Sequence, residues 1–302
     1  MKPFFPLLSV CLLLTGCTDI RTRLSPDLLA AETGTPCRFA AHTTQEDRVI
    51  IAEAASPLLF PDALQNASGA EISAGHLSLL AVSGNPCTVM QELLQNGLLA
   101  PTCPVLFVPQ HACDKLVQDQ LPDPARLQAA ADTGQIPVRT ADIILGDLWE
   151  GSGITAIPVQ TGETFSLSLW DTEQQYAVLS ESACRGLALL CGRWQQFRFH
   201  NGQTVCSVTK QALRCTVSGT ASHLCFTFSG KLSVSPPTDG AAEILTAMLR
   251  EAFEQTAGAS GADLLFLRET AARDGISEAS ACTPSEWRCI LKNADCRIQI
   301  TA

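Results

Sequence analysis

His111 and Cys113 place an imidazole and a thiol two residues apart in the sequence. An imidazole beside a thiol can activate it as a nucleophile, because the imidazole takes up the thiol proton. Asp171 and Glu173 form a carboxylate pair that could do acid and base chemistry, although carboxylates in a turn between strands usually face water. An envelope enzyme that uses His111 and Cys113 is therefore one functional hypothesis.

Other catalytic and cofactor signatures fail on inspection. Residues 151–156 fit the pattern G-x-G-x-x-A, but a dinucleotide site needs a helix that opens there and presents its N–H groups to the pyrophosphate. The following Ile157-Pro158 is extended instead, so we reject this motif. Residues 258–262 lack the last glycine of a nucleophile elbow, and the chain has no H-E-x-x-H. Apart from the competing hypothesis on His111 and Cys113, the sequence predicts no catalytic residue and no cofactor.

The N-terminus has the pattern of a bacterial lipoprotein. The apolar run Phe4–Leu14 is too short to span a membrane as a helix, and it is typical of the apolar region of a signal peptide. It leads into Leu14-Thr15-Gly16-Cys17, which matches a lipobox with cleavage before Cys17. We expect a diacylglyceryl group on Cys17, and two acyl chains suffice for stable anchoring. The alternative is a plain secretory signal that has a cysteine at this place.

The remaining cysteines and the net charge narrow the function classes. Of 14 cysteines, those beyond the lipobox can form disulfides outside the cytosol or remain buried thiols, and the sequence leaves both open. Cys282, Cys289 and Cys296 stand seven residues apart and no C-x-x-C occurs, so we predict no zinc site.

The chain has a formal charge of -10, which repels the phosphate backbones of nucleic acids. We therefore expect no nucleic-acid partner.

A strand, a helix and a second strand are predicted directly before His111 and Cys113. The apolar runs His76–Val82 and Val105–Val108 predict two strands, the first apolar enough to be buried on both faces. Between them, Asn85 and Pro86 mark the start of an amphipathic helix that stops at Asn96-Gly97. This order predicts an α/β unit.

Alternation and capping predict the elements that follow. Glu163–Trp170 alternates apolar and polar residues, as a half-buried strand does. Ser180 caps a helix that ends at Gly192. Short strands between residues 194 and 228 predict an antiparallel sheet, and the apolar stripe from Ile244 to Phe253 predicts the helix that covers it.

The two ends of the body differ in character. Thr18–Arg48 is polar and broken by prolines, which predicts a tether. At the other end, Asp263–Arg273 predicts a second helix and Cys296–Thr301 a closing strand.

The order of short motifs resembles the Ger(x)C family of spore germination lipoproteins, which are the C subunits of germinant receptors. The motifs run along nearly the whole chain beyond the signal peptide, and their order and spacing carry the resemblance. They are the lipobox with Asp19, Gly75-His76-Leu77 before an apolar strand, Pro101, Ala156-Ile-Pro158, Leu179–Leu187, Gly261–Leu265, Trp287 and the closing strand.

The resemblance implies a multidomain α+β fold in which mixed and antiparallel sheets pack with helices, after an N-terminal lipoprotein signal peptide. The implied division is a signal peptide at 1–16, a tether at 17–47, an N-terminal region at 48–193 and a C-terminal domain at 194–302. A second subdomain of the N-terminal region covers about 150–193.

The resemblance also implies a non-catalytic subunit, held by its lipid on the outer face of the spore inner membrane beside an A subunit and a polytopic B subunit. The family resemblance is densest at Gly75, His76, Arg185 and Gly186, which are the candidate interface residues. The alternative is that these glycines only permit tight packing or turns. A competing hypothesis is a solute-binding lipoprotein that captures a small nutrient in a deep pocket between domains.

Overall fold

The computed structural model describes residues 23–220 and 223–302. Within these ranges the strands form sheets of two, eight and four strands. The strands are β1 (Arg23–Leu24), β2 (Leu28–Glu32), β3 (Cys37–Thr43), β4 (Arg48–Ala54), β5 (Glu71–Ile72), β6 (Leu79–Ser83), β7 (Val105–Phe107), β8 (Thr155–Thr161), β9 (Thr164–Trp170), β10 (Gln175–Val178), β11 (Phe197–Asn201), β12 (Thr204–Thr220), β13 (His223–Ser235) and β14 (Asp295–Thr301).

Helices pack against these sheets, so the predicted multidomain α+β architecture is confirmed. A 3-10 turn at Pro57–Leu59 precedes the first helix, and a π turn at Glu254–Gly258 follows the seventh. The helices are α1 (Phe60–Ser68), α2 (Pro86–Gln95), α3 (Ala112–Val117), α4 (Pro124–Asp132), α5 (Ala141–Trp149), α6 (Glu181–Cys191), α7 (Ala241–Phe253), α8 (Leu267–Arg273), α9 (Ser277–Ala281) and α10 (Pro284–Lys292).

The eight-stranded sheet has the order β10-β9-β8-β7-β6-β2-β3-β4. Its central strands β2, β6, β7 and β8 run parallel to one another, whereas both flanks are antiparallel. The predicted strand, helix and strand unit is present as β6, α2 and β7, and the Asn85 side chain accepts hydrogen bonds from the N–H groups of Cys87 and Thr88. The central strands are apolar on both faces because helices cover both: Leu80 and Leu79 of β6 lie in separate cores.

The predicted tether at 17–47 is wrong for much of its length. The strands β2 and β3 fall inside it, and β2 pairs in parallel with β6, with Leu28 opposite Leu79. Leu29 and Phe39 are buried in the core of the sheet. The ordered body therefore begins well before Val49, because this polar segment obtains its apolar contacts from strands that are distant in sequence.

His42 on β3 lies between two carboxylates. Its Nδ1 is 2.8 Å from Oδ1 of Asp27, and its Nε2 is 3.5 Å from Oδ1 of Asp47. Burial lowers the pKa of His42, but the hydrogen bond and charge of Asp27, together with those of Asp47, raise it by more. The folded state therefore holds this proton more tightly than the unfolded chain does.

We expect the stability that protonated His42 contributes to be fully present below pH 6.5, the ordinary pKa of the group, and to be lost as the pH rises through the raised folded-state pKa. Urea unfolding between about pH 6 and about pH 8.5 measures this loss, and His42→Gln should remove it. His200→Gln is the control, because His200 is exposed. An NMR titration that places the His42 midpoint at or below 6.5 would contradict the prediction.

The four-stranded sheet has the order β11-β12-β13-β14 and is covered by α7, as predicted. The strands β11, β12 and β13 are antiparallel, as predicted from the segment between residues 194 and 228, whereas the closing strand β14 runs parallel to β13. The reason is the long connection through α7 to α10, which returns the chain to the starting end of β13. Parallel neighbours require such a crossover.

The helix α6 joins two hydrophobic cores. Ala183 and Leu187 pack with the eight-stranded sheet, whereas Ala188 and Leu189 pack with Phe197 of the four-stranded sheet. Ser180 caps this helix by accepting a hydrogen bond from the N–H of Ala183. The boundary at residue 194 stays a prediction, since α6 belongs to both cores.

Candidate functional site

Two of the candidate interface residues, Gly75 and His76, lie on the surface. Both are exposed in the turn before β6, which begins at Leu79 rather than at His76 as predicted. A Cβ atom built on Gly75 would meet nothing within 4 Å. The site is therefore accessible to a partner, and its role as an interface stays a prediction.

Arg185 and Gly186 on α6 have internal contacts instead. The Arg185 side chain donates to Oε1 of Glu181 at 3.0 Å and to the carbonyl oxygen of Arg198 at 2.7 Å, which ties α6 to β11. Gly186 is buried, and a Cβ atom there would lie 2.0 Å from the carbonyl oxygen of Met248 on α7. Gly186 thus permits close helix packing, the alternative that the sequence left open. No described hydrogen bond or ion pair joins Arg185 to His76.

The predicted lipidation site, Cys17, lies outside the described residues. Along residues 23–220 and 223–302, no helix combines the length and the apolar character that crossing a membrane requires.

The thiol and imidazole pair does not form an activated nucleophile. His111 is exposed and its Nδ1 lies 3.7 Å from Oδ2 of Asp114. Cys113 is fully buried, and its Sγ lies 3.4 Å from the carbonyl oxygen of Arg38. Burial raises the pKa of the Cys113 thiol to about 12. The thiol stays protonated at neutral pH, and only a thiolate is an effective nucleophile.

Asp171 stabilises the turn in which it lies and is not arranged for catalysis. Its carboxylate accepts hydrogen bonds from the N–H groups of Glu173 and Gln174 and from the Tyr176 hydroxyl at 2.8 Å. Burial raises the pKa of Asp171, but these hydrogen bonds lower it by more, so the group is a poor general base.

All twelve cysteines of the described ranges are free thiols. Of the two alternatives that the sequence left open, disulfides or buried thiols, the structure therefore has thiols in these ranges. In the same ranges no three His, Cys, Asp or Glu side chains cluster as metal ligands would.

A polar cluster that the sequence did not predict connects the two halves of the chain. We name it the junction cluster: Ser152, Asp263, Trp287 and Arg288. The Asp263 N–H donates to Oγ of Ser152 at 2.9 Å, and the Trp287 indole donates to Oδ2 of Asp263 at 2.8 Å. Arg288 donates to the carbonyl oxygens of Ser152 at 2.6 Å and Gly153 at 2.9 Å.

Asp263 also explains why α8 starts late. Its carboxylate accepts hydrogen bonds from the N–H groups of Leu267 at 2.7 Å and Arg268 at 2.9 Å, so it caps the helix that was predicted to begin at Asp263. Burial raises the pKa of Asp263, and these hydrogen bonds oppose that rise.

Gly151 and Gly153, from the rejected motif at residues 151–156, allow the backbone to come close at the junction cluster. A Cβ atom on Gly151 would lie 2.7 Å from the carbonyl oxygen of Asp147 and 3.3 Å from that of Asp263. Gly153 has φ near +74°, a conformation that favours glycine. The two glycines were a signal from which a close backbone approach could have been predicted, but no local signal pointed to Asp263 or Arg288.

A buried ion pair lies beside the junction cluster. Arg139 donates from Nη2 to Oδ2 of Asp147 and to Oγ1 of Thr155, and from Nε to the carbonyl oxygen of Ala156. The Thr155 hydroxyl in turn donates to Asp147 at 2.8 Å. Burial raises the pKa of Asp147, while the charge of Arg139 lowers it.

Comparison with known proteins identifies the fold. A solved structure described as the crystal structure of the GerBC protein is similar, with a TM-score of 0.54, 11% sequence identity, and coverage of 90% of this chain and 95% of that one. The Ger(x)C-like fold that the motif order predicted is thereby confirmed. No family model matches the sequence, and no curated protein matches it significantly.

Proposed function

We propose that this chain is a lipid-anchored, non-catalytic subunit of a spore germinant receptor and serves as an assembly scaffold in nutrient-triggered germination. The similarity of fold to GerBC along 90% of the chain carries the proposal. The order of sequence motifs supports it independently, because that order is a property of the amino-acid sequence and not of the fold.

The proposed partners are the A and B subunits of the receptor, and the proposed location is the outer face of the spore inner membrane. The exposed turn at Gly75 and His76 is the surface that we assign to subunit contact. A scaffold requires no catalytic group, in keeping with the protonated Cys113 thiol and the hydrogen-bonded Asp171 carboxylate.

The anchor is tested by Cys17→Ala in spores that express a tagged chain. We expect this variant to leave the membrane fraction and germination in the cognate nutrient to fall, because two acyl chains provide most of the membrane affinity. Cys289→Ala is the matched control, since Cys289 is an exposed thiol at the other end of the chain.

Retention of Cys17→Ala in the membrane fraction would contradict the lipid anchor. Recovery of the wild-type chain from spore membranes without any A or B subunit would contradict the receptor assignment. The two readouts separate the anchor from the assembly.

A further inference from the structure

A cavity of about 170 Å³ lies where α5, the end of α6 and the loop before α8 meet. Ile143, Leu190, Leu264 and Phe266 form its apolar walls. Phe266 is 54% exposed and Arg193 is also exposed, so these two residues mark the mouth of the cavity. An engineered apolar cavity of about 150 Å³ is known to hold benzene, so this volume suits a ligand of about six to eight heavy atoms.

The floor of the cavity presents a guanidinium with an unused donor group. The Arg139 side chain is only 3% exposed and lines the cavity. Its described hydrogen bonds use Nε and Nη2, and none uses Nη1. A guanidinium N–H group without a described partner, on a side chain that lines a cavity, can donate to an acceptor bound there.

The charges around the cavity favour an anion. Arg139 and Asp147 form an ion pair, and Arg193 at the mouth has no described hydrogen bond or ion pair, so the lining has one excess positive charge. This excess is local, since the whole chain has a formal charge of -10. The nearby Asp263 carboxylate does not line the cavity. It already accepts hydrogen bonds from the backbone N–H groups of Leu267 and Arg268 and from the Trp287 indole.

We propose that this cavity binds a small monocarboxylate with an apolar body, its carboxylate between Arg139 and Arg193 and its apolar part against Leu190, Leu264 and Phe266. A carboxylate supplies the acceptor oxygens that the Arg139 Nη1 group lacks and neutralises the excess charge. The apolar walls bury the remainder of the molecule. The inference does not depend on the germinant-receptor proposal, because it concerns a cavity inside the fold.

Three probes of one shape and different charge test the proposal: isovalerate, isopentanol and isopentylamine. Binding is measured by ligand-observed NMR and calorimetry on the full chain in lipid nanodiscs, with empty nanodiscs subtracted. We expect isovalerate to bind more tightly than isopentanol and isopentylamine not to bind. Absence of isovalerate binding at about 50 mM would overturn the proposal, since a ligand with a Kd of about 1 mM nearly saturates its site at that concentration. Equal binding of isopentanol would also overturn it.

Arg193→Gln should weaken isovalerate binding by about tenfold, the loss expected for one charged contact at a partly exposed mouth. Arg214→Gln is the control, because Arg214 is also exposed, has no described hydrogen bond or ion pair, and does not line the cavity. Equal affinities of these two variants would overturn the assignment of the carboxylate to the mouth.

Cys191→Phe provides a second, steric test, since Cys191 lines the cavity at the end of α6. We expect it to abolish isovalerate binding while the melting curve stays cooperative. Unchanged binding in a folded Cys191→Phe protein would place the ligand elsewhere. Because Arg193 is exposed, the test by Arg193→Gln stands even where Cys191→Phe fails to fold.

Discussion

Gly186→Ala is expected to lower the free energy of unfolding by about 3 kcal/mol, as overpacking of a tight contact does. Elsewhere in a helix, alanine in place of glycine stabilises by about 1 kcal/mol. Here the added Cβ atom would lie 2.0 Å from the carbonyl oxygen and 2.6 Å from the carbonyl carbon of Met248, and 2.9 Å from Cβ of Ala252. Backbone atoms cannot move aside as the end of a flexible side chain can, so α6 and α7 must separate.

The effect should extend through the whole molecule, because α6 belongs to the cores of both the eight-stranded and the four-stranded sheet. Chemical unfolding followed by circular dichroism measures the change. Gly146→Ala on α5 is the matched control: a Cβ atom there meets nothing within 4 Å, so it should stabilise. Equal effects of the two substitutions on the free energy of unfolding would contradict the prediction, because they would show that α6 and α7 can separate without loss of stability.

The same pair of variants decides whether Gly186 packs within its own chain or contacts subunits of the proposed germinant receptor. A packing glycine lowers unfolding stability whether or not partners are present. An interface glycine would instead reduce recovery of the proposed A and B subunits and leave the isolated chain as stable as before. We expect the first result, because Gly186 is buried between helices of its own chain.

Local chemistry explains which elements the sequence revealed. Asn85 and Pro86 mark the start of α2, and Ser180 marks the start of α6, because capping depends on residues within a few positions. The apolar runs of β6 and β7 are buried on both faces, so they stand out without knowledge of their neighbours. These elements sufficed to predict an α/β unit.

The failures have a common physical cause, which is dependence on distant contacts. The strand β3 contains Arg38, His42 and small alanines, and such a segment is a strand only because β2 and β4 pair with it. The junction cluster joins residues more than a hundred positions apart, as Ser152 and Asp263 show. No local pattern contains that information, and the glycines at 151 and 153 could at most have suggested that some backbone comes close.

Asp263→Ala is expected to lower the free energy of unfolding by about 4 kcal/mol, because it leaves buried donors without partners. The carboxylate accepts hydrogen bonds from the N–H groups of Leu267 and Arg268 and from the Trp287 indole. It therefore holds the start of α8, the loop before it and α10 together. Glu269→Gln is the control, since Glu269 is exposed in the first turn of α8 and should change stability by less than about 0.5 kcal/mol.

Asp263→Asn should also destabilise, although its shape is nearly the same. Leu267 donates to Oδ1, whereas Arg268 and Trp287 donate to Oδ2. In either orientation of an amide, its NH₂ group faces a donor, so we expect a loss of about 2 kcal/mol. A stability equal to that of the wild type would contradict the hydrogen bonding described for both carboxylate oxygens.

A double-mutant cycle with Trp287→Phe isolates the contact between the loop and α10. Trp287 is completely buried, so its replacement costs stability through lost packing as well as through the lost indole bond. The packing loss is common to both backgrounds, whereas the hydrogen bond at 2.8 Å exists only with Asp263 present. We therefore expect Trp287→Phe to cost at least about 1 kcal/mol less in the Asp263→Ala background. Additive losses would mean that the indole and the carboxylate stabilise the junction independently.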